Sequence, residues 1–181
     1  MKKKLSALML TTVVLGSAVI GGTSAWLVDQ SDEVVNTFTY GNIDIDLSES
    51  VTDFKMIPGQ TITKDPKITV DANSEASWLF VEVKKSSNYG TFLAQPDVET
   101  GWIALEGTPN IYYREVESKD INQDFYFLKD NQVKTLDTVT KENMDALKNG
   151  TEALPTLTFK AYAIQKTGFD QPLTAWEQIN K

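Results

Sequence analysis

The groups in this chain with the chemistry and spacing to bind or react are its acids. Asp29, Asp32 and Glu33 lie within five positions, and Asp44 and Asp46 alternate along one stretch. Carboxylates gathered this way suit hard cations such as calcium or magnesium, and suit catalytic zinc poorly. The chain has no histidine and no cysteine. That composition removes the HExxH zinc site, Ser-His-Asp triads and Cys-His pairs from consideration. A Ser-Lys nucleophile is compatible with the composition, but no serine sits in a strand–turn–helix elbow. Asp44 and Asp46 share a strand face, where alternating acids are an ordinary solvated surface. Asp29, Asp32 and Glu33 fall in a polar spacer, where acids maintain solubility. No catalytic residue, metal site or cofactor follows from these groups. Asn149, Gly150 and Thr151 match a glycosylation acceptor and read better as the turn that ends a helix.

A different chemistry belongs to the first 25 residues. Lys2, Lys3 and Lys4 precede an uncharged run of 16 residues, 5–20, then Gly21 and Gly22, then Thr23, Ser24 and Ala25. A basic start, an apolar middle and a small-residue end form an export signal. A membrane-spanning helix takes about 20 apolar residues, so the expectation is cleavage between Ala25 and Trp26; the alternative is a retained N-terminal anchor. Residues 1–25 hold three lysines and no acid, so cleavage takes the net charge from −8 to −11. A surface this acidic repels nucleic acid and anionic lipid. No nucleic-acid partner is expected, and contact with a membrane only before cleavage. The 156 residues that remain are enough for one domain with its own core, without disulfides.

The elements that must position everything else are strands. Phe38 and Tyr40 alternate with Thr37 and Thr39. After Gly41, read as a bulge or bend, Ile43, Ile45 and Leu47 alternate with Asp44 and Asp46. Pro58 and Gly59 are a turn pair. Pro66 places residues 61–70 on an edge or at a bulge. The strongest strand is SWLFVEVKKSS, with Trp78, Phe80, Val81 and Val83 inward and Lys84 and Lys85 leaving to solvent. GWIALEG and NIYYREVES read as an antiparallel pair, and DFYFLKD with Asp130 and Asn131 as the start of a hairpin into Val133. LPTLTFKAYAIQK carries Leu157, Phe159, Ala161 and Ala163 on one face. Its other face holds Thr158, Lys160, Tyr162 and Ile164, the last two arguing that this side is also covered. Tyr112, Tyr113 and Tyr126 would suit binding if exposed, though alternating tyrosines usually pack across a sheet. Two short helices complete the chain. One lies between Thr140 as N-cap and Gly150 as stop, with Met144 and Leu147 on a face; the other starts at Pro172, with Leu173, Trp176 and Ile179 three apart. The prediction is a mostly β chain, an antiparallel β-sandwich with two short helices.

The start of the chain, GGTSAWLVDQSDEVVNTFTYGNIDIDLSES, resembles the signature of the TasA/camelysin family of exported bacterial proteins. The matching positions are Gly22, Thr23, Ala25, Trp26, Asn36, Phe38, Gly41, Ile43, Asp44 and Ile45. MIPGQTITKDPKITVDANSEASWLFVEV is similar to a second family stretch through Ile57, Pro58, Gly59, Lys64, Ile68, Val70 and Asn73. Trp26 departs from the phenylalanine or tyrosine usual at the mature start. FKAYAIQK and AWE are similar to the family's closing strand and aromatic tail.

The resemblance implies a jelly-roll-like sandwich and a signal cut by a SipW-type signal peptidase. It also implies head-to-tail fibres of the biofilm matrix, in which the N-terminal segment of one subunit completes a sheet of the next. Relatives called camelysins are credited with cell-surface metallo-endopeptidase activity. On this reading residues 1–25 are the signal, 26–37 the donor segment with Trp26, Val28 and Val34 as its anchors, and 38–181 the sandwich. Three alternatives stay open: residues 26–37 folding back on their own sandwich as an edge strand, a metallo-endopeptidase, and an accessory or anchoring protein of a fibre.

Overall fold

The computed structural model describes residues 28–30, 42–50 and 54–181. Ten strands appear in chain order: β1 (Val28–Gln30), β2 (Ile45–Ser48), β3 (Thr61–Thr63), β4 (Lys67–Val70), β5 (Ser77–Lys85), β6 (Ile103–Ala104), β7 (Ile111–Val116), β8 (Gln123–Tyr126), β9 (Gln132–Lys134) and β10 (Leu157–Gln165). Helices α1 (Tyr89–Phe92), α2 (Lys141–Lys148) and α3 (Pro172–Ile179) separate or follow them. All pairings are antiparallel. The large sheet runs β1-β10-β5-β7-β6, and the opposing layer consists of β2-β4-β8 and the pair β3-β9. This is the mostly β antiparallel sandwich the periodicity predicts, with its second layer divided.

The alternation of β5 and β10 explains the layering. In β5 the burial is continuous from Ser77 to Val81, because both faces of the large sheet are covered. Leu79, Val81 and Val83 join Ala161 and Ala163 of β10, Ile68 and Val70 of β4, and Ile43 and Ile45 in the core between the layers. Trp78, Phe80, Tyr162 and Ile164 point the other way, where Ala175 and Trp176 of α3 cover them. Trp176 packs its ring against Phe80 and Tyr162 at 5.2 Å each. The Trp78 indole N–H donates to the Phe169 carbonyl at 3.0 Å, so its one polar atom is satisfied inside that second core.

Local signals settle the ends. Gly59 has φ +76°, and the Gln60 N–H donates to the Ile57 carbonyl at 3.0 Å, the turn that Pro58 and Gly59 predict. Thr140 and Asn143 form a reciprocal capping box at the start of α2, and Gly150 takes φ +73° past its end.

Three expectations need correction. Residues 61–70 are not one edge strand. Pro66 splits the run into β3 and β4, which belong to different sheets, and β4 is the central strand of its sheet. Pro66 lies just before the ladder, so its missing N–H costs no bond, while its carbonyl accepts from the Phe127 N–H at 3.0 Å. Asp130 and Asn131 do adopt positive φ, 53° each, yet β8 and β9 form no hairpin. Phe127 and Leu128 are fully buried, and the backbone N–H groups of Phe127 and Lys129 donate to Pro66 and Asp97, which sends the two strands to different partners. Leu173 is 41% exposed, because the buried stripe of α3 is Ala175 and Trp176. A third helix, the single turn α1, joins the two predicted; four residues are too few to carry a helical period.

Candidate functional site

The predicted donor segment enters the described structure at one place. β1 lies antiparallel beside β10, with Val28 opposite Ile164, Asp29 opposite Ala163 and Gln30 opposite Tyr162. These three residues are therefore an edge strand on their own sandwich, the alternative left open above. Ala25, Trp26, Val34, Asn36, Phe38 and Gly41 lie outside the described residues. Ile43 and Ile45 are buried, and Asp44 between them is exposed, as is Asp46. The Asp44 carbonyl accepts from Asp71 N–H at 3.0 Å, so this motif residue works through its backbone, joining the start of β2 to the end of β4.

What makes β10 a firm support for β1 is visible in its two faces. Ala161 and Ala163 are small and fully buried, which lets the opposing layer approach closely. Tyr162 is clamped by Trp176, and its hydroxyl donates to Glu82 Oε2 at 2.9 Å. Burial first, then the hydrogen bond and negative charge of Glu82, push the Tyr162 hydroxyl well above the usual tyrosine range.

Beside the first half of β10 the two layers open into a cavity of about 500 Å³. Leu47, Phe54, Val133, Leu157 and Phe159 give it apolar walls. Lys64 sits in it with a side chain only 9% exposed, its Nζ 2.7 Å from Glu49 Oε2. The rings of Phe54 and Phe159 lie 5.2 and 5.3 Å from the same nitrogen. A cation held this way is fixed by one carboxylate and two aromatic faces. The motif marks Lys64 in the sequence; Glu49 carries no signal there, because it follows a strand end and reads as surface.

The tyrosines are mostly packed. Tyr113 meets Trp78 and Phe80, and Tyr112 meets Phe127 at 5.3 Å, while Tyr126 is 42% exposed. Among the described residues no three Asp or Glu side chains gather closely enough to hold a metal ion. With neither histidine nor cysteine in the chain, these residues do not fit a catalytic zinc site. Nor is any helix among them long and apolar enough to cross a membrane.

The family model of camelysin metallo-endopeptidases matches residues 1–89, the part of the chain that carries both motif stretches. No curated protein and no solved structure matches the chain.

Proposed function

The chain belongs to the TasA/camelysin family through its first 89 residues, and on that footing we propose that it is an exported structural subunit of a cell-surface or extracellular fibre in the biofilm matrix. Subunits join by strand exchange: Val28–Gln30 leave β10 of their own sandwich, and the N-terminal segment takes that place on a neighbour. The observation that carries this reading is the pairing of Val28, Asp29 and Gln30 with β10. It supports β10 as the edge that a donor would complete and a strand conformation for part of the predicted donor. A segment that satisfies this edge from within one chain satisfies it equally from a second chain, by the logic of domain swapping. Because donor and acceptor are different surfaces, the contact is head-to-tail and propagates.

A SipW-type signal peptidase acts as the switch in this scheme. Before cleavage between Ala25 and Trp26 the donor is tethered at the membrane; afterwards it reaches a neighbour. Electron microscopy of protein beginning at Trp26, beside protein with a few residues added in front, tests this. Filaments are expected from the first only. Single particles from both, at high concentration, would sink the proposal.

The description of the matching family favours a second reading, a cell-surface metallo-endopeptidase. Casein cleavage that stops in chelator and returns with metal would favour it over the fibre subunit.

A further inference from the structure

Arg114 is the chain's sole arginine. Its place in β7 is unusual. Arg114 is opposite Leu79 in the β5–β7 ladder, and Leu79 and Val116 belong to the core between the layers. By strand alternation Arg114 shares that inward face with Tyr112 and Val116. Its guanidinium carbon lies 3.9 Å from the centre of the Phe125 ring and 5.3 Å from that of Trp102. The two aromatics hold the planar group between a residue of β8 and the residue before β6. Gly101 has φ +95° and carries no side chain; a Cβ there would stand 3.2 Å from Nη2.

Arginine in such a position ordinarily spends its N–H groups on a carboxylate. The Arg114 side chain has no ion pair or hydrogen bond among the described residues, and its Nε is enclosed without a partner. Acids close to it in sequence or register are engaged elsewhere. Glu115 binds Lys166, and Asp124 takes Lys67 at 3.2 Å and the Thr69 hydroxyl at 2.6 Å. Burial also lowers the pKa of the guanidinium, as desolvation without a counter-ion does.

We propose that Arg114, stacked between Trp102 and Phe125 beside Gly101, is a binding site for a carboxylate. The ring faces fix the plane of the guanidinium, and the missing side chain at Gly101 leaves free the space that a Cβ would take beside its terminal nitrogens. The carboxylate comes either from a small organic acid or from an Asp or Glu side chain of a second copy, since the chain has 25 acids and this single arginine.

One arginine gives one side-chain Nε–Hε signal in a proton–nitrogen spectrum, and the enclosure of Nε slows its exchange with water. Two arms separate the sources. Sodium acetate is titrated into dilute protein at constant ionic strength against sodium chloride, and protein concentration is raised without acetate. A saturable shift in acetate but not in chloride supports the site with a free acid. A shift with protein concentration that acetate reverses supports it with a second copy. Equal responses to acetate and chloride, with none to protein concentration, overturn the proposal. The Arg114→Lys variant keeps the charge and loses the planar fork. Its tryptophan fluorescence should no longer respond to acetate while its circular dichroism is unchanged; a retained response also overturns the assignment.

Discussion

At the scale of single residues, the motif lysine shows how a sequence signal becomes physical. Lys64 is held by Glu49 and two phenylalanines in a site almost closed to water. Removing one member of a buried pair strands the other charge, at about 3–5 kcal/mol, whereas replacing both with apolar groups is often near neutral. Lys64→Met should therefore lower the unfolding free energy by roughly 3 kcal/mol, and adding Glu49→Leu should restore most of it. Denaturant titration of the two variants checks the sign of the coupling. Tyr162 makes a prediction in pH. Its folded pKa is raised, so the stability it supports is complete below the unfolded value of about 10 and is lost as pH rises above it. Tyr89, pushed up to about 12 by burial, acts in the same direction. Melting temperatures across the alkaline range should fall for the native chain and fall less for Tyr162→Phe.

At the scale of elements, β10 is the strand on which the molecule turns. It is gripped from inside through Ala161 and Ala163 and from outside by α3 through Trp176. Burying tryptophan against Phe80 and Tyr162 gives α3 its anchor, so Trp176→Ala should cost about 3–5 kcal/mol by thermal or denaturant unfolding. A smaller loss would mean that α3 contributes little to holding β10. The alternation of β5 and β10, the Pro58 turn and both caps of α2 were readable in the sequence because each rests on neighbours a few positions away. Pro66 and the Asp130 turn were misread for one reason: the local chemistry of a break or turn is legible, but the destination of the strand beyond it is set by distant partners. Pro66 receives the Phe127 N–H, and Phe127 is buried against Trp102 and Tyr112. Arg114 gives no such signal inside NIYYREVES, because its setting is made by Trp102 and Phe125 from distant parts of the chain.

At the scale of the whole molecule, an acidic subunit has to overcome its own repulsion in order to polymerise. A strand added along β10 supplies main-chain hydrogen bonds that charge does not oppose. The account stands on whether Val28–Gln30 stay on their own β10 or move to a neighbour's. The chain has no cysteine, which permits a direct test. Val28 and Ile164 are register partners, close enough across an antiparallel pair for a disulfide. Protein beginning at Trp26 with Val28→Cys is mixed with the same protein carrying Ile164→Cys, assembled, oxidised and resolved without reductant. A covalent dimer containing one chain of each kind is the predicted product. If no mixed dimer forms, and a single chain bearing both cysteines closes only on itself as a monomer, the proposed strand exchange does not occur.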